Sequence, residues 1–279
     1  MTAIPADRSR DVRIEDPSNL FIIHPIARAL LPVAVRAGVS ANAVSLIGMA
    51  IGCTAAWAYS GWGDARMASV GFMLMLAWMV ADGLDGMVAR ATGTSSATGR
   101  LLDGLCDHGV FVLVYVTLAS TIGTVQGWVL AVAAGAAHAV QSNLFESERA
   151  RFHRRVRGDA GSTRPVRTGN GFERFYDSVA QSLDTLTAPV DRALRDSGDP
   201  ARMAARYAEH AVPPLKLQSL LSANVRVLAI YLACLAGDPQ LFWWFELLPL
   251  TGVTIAGLLW HKHATSALFA SQAALRQGR

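Results

Sequence analysis

The chain has 279 residues, 52% of them hydrophobic and only 16% charged, and its mean hydropathy is positive. That is too apolar for an average soluble domain and fits a polytopic membrane protein. The formal net charge of +4 then reads as cytoplasmic-loop bias and attraction to anionic lipid, not as nucleic-acid binding.

The first twenty residues carry Asp7, Arg8, Arg10, Asp11, Arg13, Glu15 and Asp16 without a cleavable apolar core. No signal peptide is expected there, and targeting falls to the first membrane helix. Residues 18–37 mix apolar residues with His24, Arg28 and Arg36, and Pro25 and Pro32 argue against one straight span. This pattern predicts an N-terminal amphipathic helix lying in the membrane interface. Spanning takes roughly 20 apolar residues, and six candidates follow: Ala43–Ser60, Met67–Asp82, Leu102–Ile122, Trp128–Asn143, Leu217–Ala236 and Leu241–Trp260. The connections at 61–66, 123–127 and 237–240 hold one basic residue, Arg66, whereas Arg90, Arg100, the stretch Arg149–Arg157, Lys262, Arg276 and Arg279 lie on the other side. The positive-inside rule therefore puts both termini and the 90–101 loop in the cytoplasm. The stretch from 144 to 214 is long for a bundle connection, and Phe172, Phe175, Val179, Leu183, Leu186, Val190 and Leu194 make a helical apolar stripe within it. The expected class is all-α integral membrane: six transmembrane helices plus the interfacial helix. Its expected divisions are 1–40 (cytoplasmic N-terminus with that helix), 41–143 (four spans), 144–214 (basic, amphipathic connection) and 215–279 (two spans and a cytoplasmic tail).

Chemistry concentrates where the second and third spans meet. Asp82 and Asp85 are i,i+3 neighbours on a helix, Gly86 and Ala89 continue that face, and Arg90 follows two turns on from Asp82. Gly99, Asp103 and Asp107, spaced by four, form one stripe on the next helix, and the loop 91–98 lets the pair turn back. An ionised Asp near hydrocarbon costs on the order of 3 kcal/mol and marks function. Four together repel, and divalent cations resolve the repulsion; Mg²⁺ and Mn²⁺ prefer all-oxygen ligands. Two such ions about 4 Å apart can clamp a phosphoanhydride. Gly86 and Ala89 remove bulk so that a base or phosphate can approach, and Arg90 offers a fork of donors.

The stretch Asp82-Gly-Leu-Asp85-Gly86-Met-Val-Ala89-Arg90, eight residues, Gly99, then Asp103 and Asp107 resembles the signature of the CDP-alcohol phosphotransferase family at all eight defining positions over 26 residues. The resemblance implies six membrane helices, a homodimer in a bacterial inner (plasma) membrane, and two divalent ions, Mg²⁺ or Mn²⁺, held by the motif aspartates. It also implies attack by an alcohol on the β-phosphorus of a CDP-linked lipid donor, with CMP leaving. Carried over by position, Asp82, Asp85, Asp103 and Asp107 are metal ligands and Asp107 is also the general base. Asp82, Gly86, Ala89, Arg90 and Gly99 line the CDP site. Members often open the first span with Pro-Asn and a Thr three residues later; here Asn42 and Ser45 keep the amide and a hydroxyl, adding two CDP-site candidates, but Ala41 replaces the proline.

Other polar residues divide between roles. Arg226, two turns inside the fifth span, is either paired with an acid or an anchor for a phosphorylated acceptor. His138 and Gln141 read as interhelical hydrogen-bonding groups, Arg149–Arg157 as a patch meeting anionic lipid, and Trp243, Trp244 and Trp260 as interfacial belt residues. His261 and His263 lack the partners of a metal site, and Cys53, Cys106 and Cys234 read as small core residues. The expected reaction is phosphatidyl transfer from CDP-diacylglycerol to a small polar alcohol. Three alternatives stand beside it. A CDP-choline or CDP-ethanolamine donor with a lipid acceptor is suggested by TGTSSATG and Asp103-Gly-Leu-Cys-Asp107-His108-Gly. A membrane prenyltransferase also uses intramembrane aspartates and Mg²⁺, and a transporter could use buried carboxylates for cations.

Overall fold

The computed structural model describes residues 11–158, 190–191 and 199–277, with side chains other than those of 97–98, 100–103 and 267–277. Most of the described residues are helical, and none is in a strand. The elements are a short π-helical turn Asn19–Ile23 leading into α1 (His24–Arg36), then α2 (Ala41–Tyr59), α3 (Ala65–Thr92), α4 (Ala97–Ile122) and α5 (Val125–Arg157), followed by α6 (Pro200–Gln218), α7 (Ala223–Leu235), α8 (Gln240–Phe245) and α9 (Thr251–Gln277). Among the described residues, six stretches are long and apolar enough to cross a membrane: Asn19–Arg36, Ala41–Tyr59, Ala65–Thr92, Gly104–Ile122, Pro200–Leu235 and Gln240–Ser266. The protein is thus an all-α integral membrane protein. The expected Trp128–Asn143 span falls inside α5, whose apolar stretch is rich in Ala and Gly and runs on unbroken into the arginines ending at Arg157. The N-terminal segment is continuous from Asn19. Pro25, at the start of α1, comes just after the π-helical turn, and Pro32 is internal to α1. Most of the amphipathic stripe Phe172–Leu194 lies outside the described residues.

The chain divides into two compact units. The first comprises Asp16–Ala136 and Ala223–Leu247. Its core gathers Tyr59, Met75, Trp78, Val110, Val114, Leu118, Ile230 and Trp243. Trp78 meets Phe111 edge-on at 5.6 Å between α3 and α4. Trp243, expected in the interfacial belt, is instead fully buried here, because α8 turns that ring inward while Trp244 stays exposed. Small residues set helix spacing: a Cβ on Gly52 of α2 would stand 2.2 Å from a Val110 methyl of α4, and one on Gly48 would stand 3.2 Å from Ala81 of α3. Ile23, Ala27 and Leu31, spaced by four, give α1 its buried face, and Gly83 of α3 faces the first two. On the other face Phe21, Ile22, Ile26, Leu30 and Val33 are exposed. Of the cysteines, Cys106 and Cys234 are buried, but Cys53 faces outward.

The second unit holds described residues of Asp7–Glu15, Ala137–Ser222 and Leu248–Arg279. Its core of Ile14, Phe152, Val190, Met203, Tyr207, Ala211 and Leu215 is joined by buried ionic side chains. Glu148 pairs with Arg151 and with His261 Nδ1, and Arg155 grips Asp191 through Nε at 2.7 Å and Nη2 at 3.2 Å. Arg155 Nη1 also donates to Tyr207 Oη at 3.2 Å. Gln141 donates to Thr251 Oγ1 at 3.1 Å, the interhelical role expected of it.

Candidate active site

The motif occupies the last three turns of α3 and the first three of α4, with the 93–96 turn between. α3 ends because Gly93 adopts a left-handed conformation (φ +67°), its N–H and that of Thr94 both closing on Ala89 O. α4 begins because Ser96, in extended conformation, caps it: Ser96 Oγ accepts from Gly99 N at 2.9 Å. Gly99 thus stands at the helix start, with Asp103 and Asp107 one and two turns on.

On α3, Asp85 is 5% exposed and Asp82 half-buried. Ser45 Oγ of α2 donates to Asp85 Oδ2 at 2.6 Å, within the range of charge-assisted O–H···O⁻ bonds. Arg90 folds back over bare helix: a Cβ on Gly86 would stand 3.3 Å from Arg90 Nη1. Gly86 therefore makes room for the guanidinium itself, and the two form one donor-bearing face at the exposed end of α3. Ala89 is half-buried beside it. On α4, Asp107 is half-buried; the Asp103 side chain lies outside the described residues.

α2 joins the two halves. It runs against α3 with Ser45 at Asp85 and Gly48 at Ala81, one turn further in. It also runs against α4: Asn42 Oδ1 is 3.4 Å from where a Gly99 Cβ would stand, and Met49 meets Gly109. Asn42 and Ser45, placed at the site by a partial sequence match, thus touch its two sides. The missing proline is also accounted for. Ala41 is the first helical residue of α2, a position that suits proline, and Ser40 starts the helix in its place by accepting from Ala43 N at 3.2 Å.

Other candidates are engaged elsewhere. Arg226 and Glu246, 1% and 0% exposed, pair through Nε at 2.7 Å, and Tyr115 Oη donates to the same Glu246 oxygen at 3.1 Å. Asn224 Nδ2 lies 2.5–3.2 Å from Ser18 Oγ, Asn19 Oδ1 and Asp16 Oδ1, tying α7 to the segment before α1. His261 is the partner of Glu148. Sequence reasoning missed the acids Glu246 and Glu148. Glu246 lies twenty residues from Arg226, and Glu148, though an i,i+3 neighbour of Arg151, also meets His261 from 113 positions away, a pairing that no spacing rule supplies.

Among the described residues, which leave out the Asp103 side chain, no three acids, histidines or cysteines are grouped so that they could hold a metal ion; by chemistry alone, the motif's donor set suits a divalent cation. It is carboxylate oxygen throughout, drawn from two helices, with a buried member beside a hydroxyl that orients it. No curated protein and no solved structure matches the chain. The family model of the CDP-alcohol phosphatidyltransferases matches residues 38–162, a range that takes in α2, the two motif helices and α5 to its end. Residues 38–162 of this chain are therefore a CDP-alcohol phosphatidyltransferase domain.

Proposed function

We propose that the protein transfers a phosphatidyl group from CDP-diacylglycerol to a small polar alcohol and releases CMP. The observation that carries this reading is the helix trio α2–α3–α4, which gathers Asn42, Ser45, Asp85, Gly86, Arg90 and Gly99 around the motif within a domain of matching family.

In this reading the acceptor hydroxyl oxygen forms a bond to the β-phosphorus of the donor. The bond from that phosphorus to the bridging oxygen breaks, and the electron pair leaves with CMP. Asp107 receives the hydroxyl proton, as a positioned carboxylate does in general-base catalysis. Asp82, Asp85, Asp103 and Asp107 would hold two Mg²⁺ or Mn²⁺ ions, which when bound supply Lewis-acid polarisation of the phosphates and charge neutralisation. Arg90, lying over Gly86, donates to the diphosphate, while Ala89, Gly99 and Asn42 line the nucleotide side. The buried pairing with Glu246 favours a structural role for Arg226 over an acceptor contact. The protein works as a homodimer in a bacterial inner membrane, with the motif and both termini cytoplasmic.

The test is CMP release by purified protein, with CDP-diacylglycerol, CDP-choline and CDP-ethanolamine as donors over a panel of acceptor alcohols. CDP-diacylglycerol should support turnover with a small polar alcohol, and Asp107→Asn should lower kcat about 10²- to 10⁴-fold while CDP still binds. Turnover only with the CDP-choline type and a lipid alcohol would reverse donor and acceptor. Undiminished CMP release by Asp107→Asn would refute the assigned base.

A further inference from the structure

Ser45 carries one hydroxyl proton and has two acceptors within reach: Asp85 Oδ2 at 2.6 Å and Ala41 O, one turn back on α2, at 3.2 Å. The nearer acceptor is a carboxylate, and a charge-assisted bond is about twice as strong as a neutral one, so the proton goes to Asp85. Both residues are buried, 6% and 5% exposed, so water competes little for the bond. A serine reaches this far because the backbones come close. Gly48, one turn along α2, lets that helix approach Ala81, one turn before Asp85.

From this we infer that Ser45 is a positioning residue for the metal site rather than a nucleotide contact: its hydroxyl orients the Asp85 carboxylate and acts on the substrate only through it. The inference rests on the reading of Asp85 as a metal ligand. Groups that orient a metal-binding side chain commonly change metal affinity or activity by about 10- to 100-fold when removed. A serine that touched CDP would instead change nucleotide affinity and leave the ion alone.

The experiment uses the full-length protein in detergent. Mn²⁺ binding without nucleotide is followed by electron paramagnetic resonance, and CDP affinity is measured at saturating Mn²⁺. Ser45→Ala should weaken Mn²⁺ binding about 10- to 100-fold and leave CDP affinity at saturating metal within about twofold. Ser45→Thr, which restores the hydroxyl, should recover most of the Mn²⁺ affinity. If Ser45→Ala does not fold, Ser45→Cys, with its weaker donor, should show the same weakening. Wild-type Mn²⁺ affinity in the variant that lacks the hydroxyl, with CDP affinity lowered, would overturn the inference. Asp85→Asn separates this from the underlying reading: if that variant binds Mn²⁺ as the wild type does, Asp85 is not a ligand and the metal reading itself fails.

Discussion

The two units differ in the balance of acids and bases along their sequences. In the second, among the described residues, the buried acids Glu148 and Glu15 lie with Arg151 and His261 and with Arg149, and the part-exposed Asp191 lies with the buried Arg155. In the first, the motif places four aspartates within 26 residues that contain two arginines, Arg90 and Arg100. The first unit can match charge where structure alone is at stake, as Arg226 and Glu246 show. Matched charges hold helices together; an acid excess stores repulsion that a cation relieves on binding. Burial of charge therefore does not itself mark function. In the proposed reading the sign balance does.

The sharpest way to break that contrast is to remove acids from the excess. Asp82→Ala and Asp85→Ala should each lower CMP release by about 10³-fold or more, because in the proposed reading they take away ligands of ions worth several kcal/mol to the transition state. Both should also lose Mn²⁺ binding. Wild-type Mn²⁺ binding by either variant would remove that acid from the proposed ligand set.

Glu148→Ala makes the converse change. It leaves Arg151 and His261 buried, at 3% and 4% exposure, without their shared acid. Removing one member of a buried pair typically costs about 3–5 kcal/mol. Thermal unfolding of the full chain should show that loss, with or without Mn²⁺. An unchanged transition would mean that the second unit does not depend on its ion pairs.

How much of this was legible in advance follows from the range of each signal. Helix class and the motif were readable because both are local: apolar runs of bilayer length, and acids at spacings of three and four that share a helix face. The end of α3 at Gly93 and the start of α4 at Ser96 carry equally local capping signals. What sequence could not supply were pairings between helices distant in the chain. Ser45 was placed at the site by resemblance, but its bond to Asp85 spans forty positions and depends on how closely α2 approaches α3. Arg226 was a two-way choice until packing brought Glu246 against it. Trp243 and Trp244 are adjacent aromatics of identical composition, and only the rotation of α8 decides which is buried.

The smallest effect expected is a response of the second unit to acid, in two steps. Burial, helped by the charges of Arg149 and Arg157, holds the imidazole of His153 below its ordinary 6.5, against the opposing pull of Asp11 and Glu15. Below that value the unfolded chain takes up a proton that the folded chain resists, so stability falls as pH drops through 6.5 toward the lowered value. Burial would raise the carboxyl of Glu148, but its hydrogen bond from His261 and the charges of His261, Arg151 and Arg155 outweigh burial and hold it below 4.5. A depressed carboxylate stabilises the fold above its unfolded value and loses that contribution as pH falls through its folded one. The second step therefore begins below pH 4.5 and deepens toward the lowered value. His153 is only half-buried, so solvent screening keeps the first step modest. Unfolding temperature measured in detergent from pH 8 to 4 should decline gently at first and more steeply at the acid end. His153→Gln should flatten the first decline and leave the second. A decline that begins at pH 6.5 in both proteins alike would assign the first step to another group.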